Sequence, residues 1–202
     1  MNVVIVGRTN MQNQICVGAL GIDNRQSLRL LQSGGRNQPV TTDYRVGQIW
    51  NVEFTARPDL TPPHVEDVIV SSAQLVRDAR NIRDNLLRHV TPWRDAPSNM
   101  FDGFLRFTAN GRGYVSERIG IPVMSTGYWL SDRDLERADR DHQVRYSYST
   151  DDPIRGLTYV GTDEPIAHVP AGTLLRVSLA RWWQPPGVSE TRCYLQLSGW
   201  FL

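Results

Sequence analysis

The 202-residue sequence has no lysine: all 22 of its basic residues are arginine. This excludes Schiff-base chemistry, a phosphate-loop lysine and a Ser-Lys dyad. Every side-chain cation is instead a planar, permanently charged fork. Cysteine is almost absent. Cys16 and Cys193 lie far apart in strand-like runs, ICVGAL and RCYLQL, which predicts two buried thiols rather than a disulfide framework or a cysteine zinc site. Long apolar runs are missing too. The first, Val3–Val6, is too short for a signal peptide, and nothing later approaches a membrane span, so the expectation is a soluble cytoplasmic protein without a membrane partner. Net charge is also lacking. The 22 arginines face 21 Asp and Glu for +1, which argues against a histone-like or polybasic chain but leaves room for a local basic patch.

What is present reads as β-structure. Short alternating runs rich in Val, Ile, Leu and aromatics are separated by turn residues. They predict strands at Val3–Gly7, Gln14–Gly21, Ser27–Leu31, Gln48–Ala56 and Glu66–Ser71. A second series follows at Phe104–Ala109, Gly127–Leu130, Val144–Ser149, Leu157–Val160, Thr173–Trp183 and Arg192–Trp200. One segment has helical spacing: Leu75, Ala79, Ile82, Leu86 and Val90 predict an amphipathic helix over 72–91, ending before Pro92. A weaker helix is expected in SDRDLERADRDH, with Ser131 and Asp134 as a capping box.

An internal repeat organises these elements. VGQIWNVEF at 46–54 parallels AGTLLRVSL at 171–179, with Val52 matching Val177 and Phe54 matching Leu179. A Pro-Pro pair follows each (Pro62–Pro63; Pro185–Pro186), then another strand. A hairpin with an acidic turn precedes each, at Asp23-Asn24 and at Asp151-Asp152-Pro153. Hairpin, long strand, Pro-Pro loop and strand make a unit the size of an OB-fold, and SH3-like barrels are comparable. The expected division is a first barrel with the helix over 1–95, and a second over 96–202 with an Asp/Arg/Gly-rich insertion at 96–143.

The blocks SLARWWQPP, RCYLQLSGWF, VGQIWNVEF and LTPPHVEDVIV resemble the dual OB-containing domain family of bacterial proteins, across essentially the whole chain. The resemblance implies two tandem OB-folds and a nucleic-acid-binding or regulatory role, in bacterial conflict or phage defence. It implies no catalytic residues.

No hydrolase, metalloprotease or phosphate-loop motif is present, and His64, His89, His142 and His168 are scattered. Asp132, Asp134, Asp139 and Asp141 with His142 form an acidic cluster suited to a divalent cation, but the interleaved Arg133, Arg137 and Arg140 favour a solvated, ion-paired face. Glu66-Asp67 is read as a strand entry capped by solvated charges. Gly34-Gly35-Arg36 and Gly111-Arg112-Gly113 lead into no helix and read as turns. The expectation is therefore a non-enzymatic protein with no cofactor and no metal.

Two surfaces suit nucleic acid. Alternation along 173–183 puts Leu175, Val177 and Leu179 in the core and Arg176, Ser178, Ala180 and Trp182 outside. There Arg176 would meet phosphate and Trp182 would stack a base, with Arg181, Arg36 or Arg112 nearby. The other role open to Trp182 is packing beside Pro185–Pro186. The second surface is the basic helix, where Arg77, Arg80 and Arg88 would lie opposite the apolar stripe; the i,i+4 pairs Arg80–Asp84 and Asp84–Arg88 offer a purely structural reading. The leading expectation is a binder of single-stranded or structured RNA or DNA, or of a nucleotide-like ligand. The alternative is an interaction subunit that docks a protein partner through the same aromatic and arginine surfaces.

Overall fold

The computed structural model describes residues 1–148 and 156–202, in two units, Met1–Thr91 and Pro92–Leu202. The first unit contains β1 (Asn2–Met11), β2 (Gln14–Gly21), β3 (Ser27–Leu31), β4 (Gln38–Pro39), β5 (Gln48–Ala56), β6 (Asp67–Asp78) and the helix α1 (Ile82–His89). β1 pairs antiparallel with both β2 and β5, β2 with β3, and β5 with β6, while β3 and β6 run parallel. These pairings close a barrel in the order β1-β2-β3-β6-β5, the connectivity of an OB-fold. Its core gathers Val3, Ile5, Val17, Leu28, Leu30, Val52 and Val68, the inward residues of alternating strands. The β2–β3 turn needs Gly21, because a Cβ there would lie 2.1 Å from the Asn24 side-chain Oδ1, which accepts from the Gln26 amide.

The predicted helix over 72–91 is corrected. β6 continues to Asp78, paired with β5 through Val52↔Ala73 and Gln48↔Asp78, and only Ile82–His89 is helical. The ladder offered by the open edge of β5 outweighs the helical spacing, and of the supposed apolar stripe only Leu86 is fully buried; Leu75 is 47% exposed. Asn81, in the left-handed region at φ 47°, marks the change from extended to helical chain.

The second unit contains β7 (Trp93–Arg94), β8 (Arg106–Phe107), β9 (Gly113–Ser116), β10 (Thr126–Leu130), β11 (Leu135–Arg137), β12 (Arg145–Ser147), β13 (Gly156–Tyr159), β14 (His168–Val169), β15 (Leu174–Leu179) and β16 (Arg192–Phe201). Trp93–Arg94 pair with β10 and so belong with this unit. The hairpin β12–β13, the parallel pair β13–β16 and the antiparallel pair β15–β16 repeat, in order and sense, β2–β3, β3–β6 and β5–β6. The part of β1 is divided: β10 pairs with β15 and β11 with β12. The second acidic turn, Asp151-Asp152-Pro153, lies outside the described residues. Val115, Trp129, Leu135, Tyr146, Leu157, Leu175, Val177, Leu179, Cys193 and Leu195 line the core, so the inward face expected of β15 is correct.

The weaker expected helix at 131–142 is also corrected. Leu135–Arg137 is a strand between β12 and β14, and Ser131 makes no capping box; its Oγ donates to the Arg133 carbonyl. Neither cysteine forms a disulfide. Burial pushes the Cys193 thiol up to about 12, whereas Cys16 is only half-buried. No helix among the described residues is long and apolar enough to cross a membrane.

Candidate nucleic-acid interface

The insertion before β10 supplies the hairpin β8–β9, which docks on the first half of β16. Gly111, at φ 75°, turns the hairpin. Gly113 lets it approach, since a Cβ there would lie 3.0 Å from that of Leu195. Cys193 and Val115 pair across the strands and point into the core. Alternation then turns their neighbours Tyr194 and Tyr114, also paired, to the outer face. Their ring centroids are 6.2 Å apart.

A third ring joins them from the loop between β15 and β16. Leu179 pairs with Leu195, and the Ala180 amide donates to the Tyr194 carbonyl at 2.8 Å. Regular continuation would set residue 182 opposite Arg192. Trp183 occupies that place, exchanging both backbone hydrogen bonds with Arg192 at 3.0 and 2.8 Å. One extra residue in the loop, as in a bulge, has moved the alternation by one position. The Trp183 indole is therefore 51% exposed, 6.0 Å from the Tyr194 ring. Trp182 packs against the core.

Two guanidinium groups stack on this row. Arg112 lies 4.3 Å from the centroid of Tyr194 and Arg192 lies 4.0 Å from that of Tyr114. Cation–π contacts of this kind contribute about 0.5–1 kcal/mol each where solvent has access. Arg192 is also held by Glu190 at 2.7 Å, and that ion pair keeps the Glu190 carboxyl below the usual carboxylate range. Arg112 makes no ion pair among the described residues. The loop is braced from the far side, where Arg118 donates to the Ser189 carbonyl at 3.2 Å and Glu117 accepts from the Thr191 amide at 3.4 Å.

Charge in the second unit follows the same division. Residues 104–120 and 171–202 carry Arg106, Arg112, Arg118, Arg176, Arg181 and Arg192 against Glu117 and Glu190. The described residues of 131–168 carry seven carboxylates against four arginines. The four aspartates of the acidic cluster, for which a solvated, ion-paired face is the favoured expectation, lie in that region, each engaged separately. Asp132 accepts from Tyr148, Asp134 from the Ala171 amide, Asp139 from Arg137 and Asp141 from Arg145. No group of three or more His, Cys, Asp or Glu among the described residues could hold a metal ion.

The structure redistributes the residues expected at the interface. Arg176 is corrected: it is 7% exposed, donates to Ser198 Oγ at 2.9 Å and presents no surface to phosphate. It lies beside Tyr128, whose phenol burial pushes up to about 12. Trp182 takes its packing role, and the stacking position expected of it falls to Trp183. Arg181 is exposed in the same loop, and Arg112 sits on the aromatic row. The others lie in the first unit. Arg36 is exposed in the turn after β3, Arg77 on β6, Arg80 between β6 and α1, and only Arg88 on the helix. No single basic helix presents Arg77, Arg80 and Arg88. Glu66 and Asp67 are buried rather than solvated; Arg29 and Arg57 both ion-pair with Asp67.

The strand order defines a pair of OB-type units. The chain belongs to the dual OB-containing domain family, whose model matches residues 1–200. No curated protein matches the sequence. Similar solved structures include the Ifi202 HINa domain in complex with 20-bp double-stranded DNA, at 9% identity and TM-score 0.37, covering 98% of this chain and 91% of that one. A murine DNA-binding protein bound to double-stranded DNA follows, at 8% identity and TM-score 0.32, with 98% and 90% covered. The p204 HINb domain has 10% identity and TM-score 0.32, with 98% and 95% covered. These likenesses are remote; the fold and family rest on the family match and the strand order.

Proposed function

We propose that the chain is a non-catalytic protein that binds single-stranded nucleic acid on the outer face of β8, β9 and β16. The observation that carries this reading is the row Trp183, Tyr194 and Tyr114, at 6.0 and 6.2 Å, with a guanidinium group over each tyrosine ring at 4.3 and 4.0 Å. Bases in a duplex are already stacked on one another and have no free face for such a row. Unpaired bases stack on aromatic rings and on arginine planes. The segments that build the row, residues 104–120 and 171–202, carry an excess of arginine, and their exposed members such as Arg181 would meet the backbone. A cytoplasmic role in bacterial nucleic-acid defence is the setting this reading fits.

The test is fluorescence anisotropy of labelled twelve-nucleotide strands at two salt concentrations. Binding that weakens with salt, by about 0.7 log units per phosphate contact for each decade of salt, supports the reading. Absence of binding at the lower salt overturns it. A second reading, a docking surface for a protein, is favoured by one other observation. Ile121, Val123 and Met124 are 47%, 71% and 40% exposed in the loop after β9. That loop is fixed by the Val123 amide, which donates to Asp102. Co-purification of a stoichiometric partner, lost on replacing Val123 and Met124 by serine, would favour it.

A further inference from the structure

We infer that two copies of this chain pair through the far half of β6, edge to edge and antiparallel. Beyond Ile69, where the parallel ladder to β3 ends, β6 is held on one side only, by β5. Its other edge presents backbone donors and acceptors along eight consecutive exposed residues, Ser71–Asp78. Elsewhere the chain closes such edges. The strands that end its ladders, β4, β7, β8 and β14, are two residues long, too short to template another strand. No other strand among the described residues exposes more than two residues in succession.

An open edge of this length is a site of strand addition. Its middle, Ser71–Val76, is uncharged, and Leu75 and Val76 are half-exposed. The occupant that fits is the same edge of a second copy. A foreign peptide is selected by pockets for its alternate side chains, and a strand exposed on both faces gives it no walls. A second copy needs none, because an isologous contact requires only that the edge match itself about a two-fold axis.

Charge gives that match. Ile49, Asn51 and Glu53 share one face of β5 by alternation, so their partners Arg77, Gln74 and Ser72 share one face of β6. The register shift that leaves Val76 unpaired is what carries Arg77 onto that face. With the axis at Gln74, antiparallel pairing sets Gln74 against its mate, Ala73 against Leu75, and Arg77 of each copy beside Ser72 of the other. Across that small serine stands Glu53, two strand spacings or about 9.6 Å from Arg77, within reach of an extended guanidinium and carboxylate. Arg77 and Glu53 are exposed, and neither makes an ion pair among the described residues. The pairing thus joins opposite charges twice, once on each side of the axis, and keeps like charges at opposite ends.

Sedimentation velocity of the full chain over about two decades of concentration reads the pairing by mass action. The expected result is a reversible shift from one copy to two. Gln74→Arg and Gln74→Glu each set like charges against one another on the axis, which destabilises a cross-strand pair. Each variant alone should stay single at concentrations where the unaltered chain is paired, its melting temperature confirming an intact fold. Mixed in equal amounts, the two should again form a species of two copies. A chain that is single at every concentration overturns the inference and leaves the edge to an occupant of another kind. Pairing that both variants retain, or that the mixture fails to restore, also overturns it. So does a mass that keeps growing past two copies, because a two-fold contact closes.

Discussion

In the first unit, β6 leaves the barrel bare: every residue from Ser71 to Asp78 is exposed, the apolar Leu75 and Val76 included. In the second, the strand in the equivalent place, β16, is flanked by β15 and β13 and, over its first residues, by the added strand β9. Arginine is used differently as well. In the first unit Arg29 and Arg57 converge on one buried carboxylate, Asp67, at the start of β6. In the second, Arg112 and Arg192 lie on half-buried tyrosines around the start of β16. One strand order therefore supports two outcomes, a charge cluster that fixes the barrel and an aromatic surface that faces outward. The added hairpin β8–β9 makes the difference, because Tyr114 and Arg112 both come from it.

The largest expected effect tests the first half of that comparison. Asp67→Ala leaves Arg29 and Arg57 without the carboxylate they share, and removing one partner of a buried pair costs about 3–5 kcal/mol. Urea unfolding should show this, and a loss below about 1 kcal/mol would mean that the cluster does not fix the barrel. Next come the adjacent tryptophans. Trp183→Ala should cost about 1–3 kcal/mol of single-strand affinity with no change in melting. Trp182→Ala should do the reverse, losing about 2 kcal/mol of stability, less than a fully buried tryptophan because this one is half-buried. If the two phenotypes are exchanged, the extra residue in the loop is misplaced. A smaller effect separates the units: Arg181→Ala should lower the salt slope by about 0.7, as losing one phosphate contact to a single strand does. Arg77→Ala, on the bare face of β6, should leave it unchanged.

The smallest concerns His168 on β14, whose Nδ1 lies 2.7 Å from Glu136 and Nε2 3.6 Å from Asp134. The hydrogen bond to Glu136 raises its pKa above the ordinary value. A raised folded pKa means the contribution is complete below the unfolded value of about 6.5 and is lost as pH rises through the folded one. The imidazole should titrate above the ordinary midpoint by NMR, and Glu136→Gln should bring it down.

Much of this architecture is legible in the residues. Alternation gives β2, β3 and β5 to their ends, and it gives the inward face of β15, because a half-buried strand cannot shift register without turning its apolar side to water. The repeat was legible because its pairing order depends on the succession of strands and turns. The helix over 72–91 misled because Leu75, Ala79, Ile82 and Leu86 have helical spacing in a segment whose hydrogen bonds go to β5. Alternation within RCYLQL and GYVS does turn Tyr194 and Tyr114 outward. What brings them together is a pairing between segments almost 80 residues apart, which no local pattern encodes. The choice between Trp182 and Trp183 depended on one additional residue beyond Leu179, and alternation carried past the end of a strand gives the wrong indole.

The position of β16 along the chain has a consequence for biosynthesis. The first barrel has all its strands once Asp78 has been made, whereas β9, β13 and β15 all await a partner that ends at Phe201. At about 5–20 residues per second, the intervening chain of about 120 residues takes roughly 6–25 s to synthesise. Through that interval the first unit can stand folded on the ribosome while the strands destined for the second remain unsheltered. The core residues Val115, Trp129, Tyr146 and Leu157, all made before β16, are then open to chaperones and to misassociation until the last strand arrives.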